Sequence, residues 1–188
     1  VLDSVRRMTL LSIDTVPPTS ADERAERLDT AGAAWQQRIA ADTTAAHLTY
    51  RVNGRGSGSV ASEITTGRHR FLVDEPAALA GDDVAASPVE YALGALISCQ
   101  IVVYRLYANA LGIVVDDIDI DAEGDLDARK LFGITETVRP GFNAVRLSVK
   151  LTGPETAERY AELRRVVDEH CPVLDLFANA VPTSVALV

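Results

Sequence analysis

Apolar and polar positions repeat with different periods along this 188-residue chain, and the changes of period divide it into elements. After Ser20, the residues Ala25, Leu28, Gly32, Trp35 and Ile39 recur at helical spacing. Glu23 stands three residues beyond Ser20, as a capping box requires. The weakly patterned residues before it, ending in "VPPT", read as an arm leading into that helix. "HLTYRV" (His47 to Val52), "SVASEIT" and "HRFLV" predict strands, and "NGRGSG" (Asn53 to Gly58) predicts a turn. "ALGALISCQIVVYRLYANALG" (Ala92 to Gly112) is almost unbroken apolar sequence. Ser87 is placed to cap it, Pro88 suits its first position, Glu90 falls at the third, and Gly112 ends it. A helix apolar nearly all round needs burial on several sides, in the centre of a domain or at a subunit interface.

Beyond that helix, "DDIDIDAEGDLD" alternates acid and isoleucine at period two, the pattern of a strand with one wet face. "AVRLSVKL" predicts another strand. Pro154 to His170 predicts an amphipathic helix with Tyr160, Leu163 and Val167 inward. "CPVLDLFANA" predicts a short helix and "VPTSVALV" a last strand. Strands, long helix, strands, helix and strand in that order give an α+β domain.

Composition narrows the class of protein. Apolar residues make up 47% of the chain, enough for a sizeable core, and the formal net charge of −9 argues against a groove that tracks phosphates. The charge-free apolar run from Tyr91 to Tyr104 falls short of the roughly 20 residues that span a bilayer, so no membrane partner is expected. The opening "VLDSVRRMTLLSID" lacks the apolar core and small-residue cleavage site of a signal peptide. Two cysteines are too few for a disulfide framework, which points to a reducing cytoplasm.

Those two cysteines carry the candidate chemistry. Cys171 precedes Pro172, which suits the first position of a helix and puts the thiol at the N-cap. The unpaired N–H groups and dipole there favour its thiolate. Cys99 lies inside the apolar helix, where burial raises a thiol pKa unless a cation approaches. Arg105 is about 240° round the same helix and reads as a snorkelling or interface residue. On residues alone, each cysteine is either core filling or a reactive sulfur.

Other patterns carry less. "DIDIDAEGDLD" mimics a calcium loop, but Ala122 occupies the glycine position and Ala128 the place of the bidentate glutamate. Gly54, Gly56 and Gly58 mimic a dinucleotide fingerprint, yet strand-like sequence follows where a helix should open. His47, His69 and His170 show no metal spacing, and no nucleophile-elbow, zinc-protease or Walker motif is present.

Three blocks in order resemble one family. "DEPAALAGDD…SPVEYALGALISCQ", "EGDLDARKLFG…VRPGFNAVRLSVKL" and "HCPVLDLFANAVPTSVAL" are similar to the successive motifs of OsmC-like proteins, which include the organic hydroperoxide reductases. The resemblance covers residues 46–188 as an OsmC-like domain and leaves 1–45 as an amino-terminal arm and helix. It implies an OsmC-like fold: antiparallel sheets packed with a long central buried helix, in an intertwined homodimer. It also implies a thiol peroxidase of oxidative-stress defence that needs no metal or prosthetic group. Cys99 then attacks the hydroperoxide, and Cys171 resolves the sulfenic acid as a disulfide. An external dithiol such as a lipoyl group reduces that disulfide. The alternative is a catalytically idle OsmC-like dimer that holds a small apolar ligand between subunits. The sequence departs from the family at one point: the glutamate ten residues before the first cysteine is here Val89, and Glu90 is nine before. About 180° round the helix from Cys99, Glu90 cannot reach that thiol and serves as a cap. Arg55, Arg68 and Arg70 are the candidates for the family's activating arginine.

Overall fold

The computed structural model describes residues 16–188; the first 15 residues of the expected arm lie outside them. A helix α1 (Ala21–Ala41) leads through a short 3₁₀ turn to a sheet of three antiparallel strands, β1 (Asn53–Ser57), β2 (Ala61–Thr66) and β3 (His69–Val73). The long helix α2 (Pro88–Leu111) follows, then the antiparallel pair β4 (Asp117–Leu126) and β5 (Phe142–Thr152), and the helices α3 (Ala157–His170) and α4 (Pro172–Ala178). This is a mixed helix-and-sheet architecture. The core lies where α2 meets α3, β4 and α4. Leu96, Tyr104, Leu163 and Val167 are fully enclosed there, each side chain contributing about 1.5–3 kcal/mol by leaving water.

The caps of α2 form as the sequence demands. Ser87 Oγ accepts from Glu90 N, and the Glu90 carboxylate accepts from Ser87 N at 2.7 Å and from its hydroxyl at 2.6 Å. These bonds hold the Glu90 carboxyl below its ordinary pKa. Gly112 closes the helix at φ 61°, a left-handed geometry that favours glycine. Arg105, expected to snorkel or meet a partner, instead donates to the Val115 carbonyl at 2.6 Å and secures the turn after the helix.

Three expectations about extended segments are corrected. The hairpin turn falls at Gly58 (φ 57°), so Ser57 pairs with Ala61 and Asn53 with Thr65. "NGRGS" is therefore strand β1 rather than a turn. β2 ends at Thr66, so His47–Val52 lies past the end of the ladder, without a strand partner among the described residues. Turn position set the register and displaced the strand. The carboxy-terminal "VPTSVALV" is likewise exposed, and it pairs with no strand among the described residues. Helix α3 starts at Ala157, capped by Thr156, rather than at Pro154. Ser20 caps α1 through Glu23 N, and none of that helix is buried.

Burial of α2 is one-sided. Leu96, Gln100, Val103, Tyr104 and Ala108 face the core, whereas Tyr91, Ala95, Ser98, Val102, Leu106 and Ala110 form an exposed stripe opposite. The helix has 24 residues, not only the shorter run counted in the sequence, and a mean hydropathy of 1.3 over its most apolar window. By length and composition it is long and apolar enough to cross a membrane. The three-stranded sheet meets the rest of the chain mainly through Tyr91, whose ring packs on Phe71 with centroids 5.1 Å apart and whose hydroxyl donates to the Leu72 carbonyl at 2.7 Å.

The loop into α2 is organised by Asp74, a buried carboxylate that accepts from Asp82 N at 3.0 Å and Val84 N at 3.2 Å. The backbone N–H of Glu75 is the first cause holding its carboxyl below the ordinary 3.8, with those of Val84, Asp82 and Asp83 adding to it against burial. A carboxyl lowered by folding stabilises above its unfolded pKa, and the contribution disappears as pH falls through the folded value. Asp74→Asn is therefore expected to lower the thermal midpoint at pH 7. Its deficit against wild type should shrink as the pH drops below 3.8, read by calorimetry from pH 7 to pH 3.

Candidate thiol site

Cys171 forms the N-cap of α4, and its sulfur accepts from Leu174 N at 3.5 Å. The fold then brings Cys99 to it. The Cys99 thiol is raised above its ordinary pKa chiefly by burial, while the Val173 N–H lowers it. The Cys171 side chain raises it further, as a hydrogen-bond partner and as a like charge. Two thiols distant along the chain thus meet at the junction of α2 and α4, and neither is in a disulfide.

Cys171, read from the sequence at the N-cap as either core filling or a reactive sulfur, is enclosed, at 2% exposure within the core. Cys99, inside the apolar helix, is only partly covered, because α2 buries just one of its faces. The sulfur assigned to attack is the one a solute reaches more easily.

The three candidate arginines lie elsewhere. Arg55 sits across from Glu63 in the β1–β2 ladder, Arg70 pairs with Glu63 at 3.3 Å, and Arg68 follows the β2–β3 turn. The influences on Cys99 are burial, Val173 and Cys171, and no guanidinium of the described residues is among them. Glu90 is fully used as the helix cap. Among the described residues no group of histidines, cysteines and carboxylates could hold a metal ion.

A cavity of about 430 Å³ opens between α2, β5 and α4, with Leu96, Leu147, Leu174 and Phe177 among its walls. Leu96 lies one turn before Cys99, and Leu174 supplies the N–H that meets Cys171. Phe142 also lines it, stacked on Phe177 with centroids 6.3 Å apart. The Phe142 ring lies where a Cβ on Gly124 would be, so only glycine in the "EGD" segment lets it take that position. A smaller cavity of about 270 Å³ lies on the other side of Leu174, lined by Gln100, Arg164 and Asp168. Close by, Tyr104 Oη is buried without a hydrogen-bond partner, and burial pushes its pKa up to about 12.

A model of the OsmC-like protein family matches residues 81–186, a span that includes both cysteines and both elements that hold them. The chain belongs to the OsmC-like family. Solved structures agree in fold. An OsmC-like protein from Mycoplasma pneumoniae superposes with a TM-score of 0.61 at 15% identity, over 70% of this chain and 88% of that one. An organic hydroperoxide resistance protein OsmC from Legionella pneumophila gives 0.54 at 25% identity, over 70% and 90%. The organic hydroperoxide resistance protein OhrB of Bacillus subtilis gives 0.50 at 22% identity, over 69% and 90%. No curated protein matches the sequence.

Sequence reasoning missed three features of this OsmC-like site. Gln100, buried beside Cys99, was visible only as the polar interruption of an apolar run. The Val173 N–H carries no side-chain signature at all. Phe142 stood in a family block without any role attached to it.

Proposed function

We propose that the protein is a thiol peroxidase for organic hydroperoxides, with Cys99 as nucleophile and Cys171 as resolving thiol. The observation that carries this reading is the meeting of the two sulfurs beside an apolar cavity. The Cys99 thiolate attacks the distal oxygen of R–O–O–H. The O–O bond breaks, the alkoxide takes a proton and leaves as R–OH, and sulfur becomes sulfenic acid. Cys171 sulfur then displaces hydroxide, which leaves as water once protonated, and an S–S bond forms. An external dithiol, of which a lipoyl group is one chemical form, returns both cysteines to thiols as it is oxidised to its own disulfide. Both chemical steps use side chains of this chain alone, so no metal or prosthetic group enters them.

The working unit in this reading is a cytoplasmic homodimer. The exposed stripe on α2 supports a second copy as partner. Oxidation of the reduced protein with one equivalent of cumene hydroperoxide should yield one intramolecular Cys99–Cys171 disulfide, read as a mass loss of two hydrogens and a bridged peptide pair. Two unchanged thiols would overturn the proposal.

One observation favours a second reading, an idle dimer that binds a small apolar ligand. The Cys99 thiol is raised by burial, and no described cation offsets it. Unreacted thiols together with a ligand carried through purification, seen by native mass spectrometry, would decide for it.

A further inference from the structure

The two sulfurs of the thiol pair differ in access, and that difference fixes the order in which a reductant can release them. Cys171 is 2% exposed and belongs to the same packed core as Tyr104, Leu163 and Val167. This cover comes from its own chain, so a second copy could only add to it. Cys99 lies at the margin of the core, partly covered, with the exposed Ser98 beside it on α2. Charge does not separate the two in the same way. The first turn of α4 gives each sulfur one backbone N–H: Leu174 donates to Cys171 at 3.5 Å, and Val173 donates to Cys99.

A thiolate opens a disulfide by attacking one sulfur and expelling the other. The rate depends on access to the attacked atom and on how well the departing one carries charge. The three sulfurs must lie nearly in line, which requires free space on the far side of the attacked atom. At Cys171 the core fills that space. We propose that the external dithiol attacks Cys99 alone, and that Cys171 is the first thiol released. The S–S bond breaks, a bond forms between Cys99 and the reductant, and Cys171 leaves as a thiolate beside the Leu174 N–H. The second thiol of the reductant then attacks its own bound sulfur. That step closes the reductant's disulfide and expels Cys99 toward the Val173 N–H. Each departing thiolate takes one of the two protons that the dithiol gives up. Cys99 is thus the sulfur that meets outside reactants, first the peroxide and later the dithiol, and Cys171 reacts only with Cys99. This assignment rests on the pairing of the two cysteines in the proposed cycle, but not on peroxide as the oxidant.

Diamide joins thiols without peroxide, and so separates this order of release from the peroxidase reading. The diamide-oxidised, full-length protein is mixed with 2-mercaptoethanol and quenched in acid, and its free thiols are blocked with N-ethylmaleimide under denaturing conditions. Peptide mass spectrometry should find mercaptoethanol on Cys99 and maleimide on Cys171, in at least about tenfold excess over the reverse pattern. The same reaction in enough urea to unfold the chain should level the two patterns, because access then no longer differs. An equal mixture or the reverse pattern in the folded protein, or an undiminished excess in urea, would overturn the assignment. So would a failure of diamide to join Cys99 to Cys171. A protein bridged by diamide and opened at Cys99, yet inert to cumene hydroperoxide, would uphold the order of release and refute the peroxidase reading alone.

Discussion

Cys99→Ser is expected to lower peroxide consumption by at least about 10³-fold, the scale on which losing a nucleophile shows. Serine keeps the volume and the helix, so the fold should survive; what disappears is the sulfur that attacks. Cys171→Ser should behave differently. Its Cys99 still forms sulfenic acid in one fast turnover, trapped by dimedone, and then stalls or over-oxidises because no second thiol condenses with it. The wild-type single-turnover rate should also depend on pH in one direction. Burial raises the Cys99 thiol above its ordinary value, so the reactive thiolate is the minor form at neutrality. Its fraction grows as pH rises, and the rate should climb about tenfold per unit through neutrality. Stopped-flow mixing with cumene hydroperoxide measures this. A rate already level at pH 6 would mean that a cation holds the thiolate, contrary to this environment.

Legibility in the sequence followed the range of the interaction. The caps of α2 and the N-cap position of Cys171 are local, set within four residues by Ser, Pro, Glu and Gly, and they formed as read. The alternation of β4 survived for the same reason, since period two is a property of one strand. What sequence misplaced depends on a partner. His47–Val52 has strand-forming residues, but the Gly58 turn assigns β2 to a glycine-rich neighbour. "VPTSVALV" has strand composition but joins none of the open sheet edges of the described residues. The partial exposure of Cys99 was not legible, because it depends on which face of α2 the other elements cover, and an all-round apolar helix does not say. The pairing of Cys99 with Cys171 came from resemblance, not from any residue pattern. The cavity between α2, β5 and α4 is a tertiary arrangement of residues with no motif of their own.

Val102→Asp combined with Leu106→Asp is expected to dissociate the proposed homodimer. The two residues lie four apart on the outer stripe of α2 and are 55% and 42% exposed in the single chain. Fully burying such side chains contributes about 1.5–3 kcal/mol each, and roughly half of each is left for a partner to cover. Two residues in each of two copies give about 3–6 kcal/mol per dimer, or a rise in Kd of about 10²- to 10⁴-fold before the cost of desolvating four carboxylates is added. Sedimentation equilibrium at micromolar concentration should show a dimer for wild type and a monomer for the double variant. The core residues Leu163, Val167 and Tyr104 face away from the substitutions, so the variant should keep its helical circular dichroism. Its thermal midpoint should fall, because folding then loses the stabilisation that association adds. A wild-type chain that sediments as a monomer, or a double variant that stays dimeric, would require the apolar stripe to be covered by something other than a second copy.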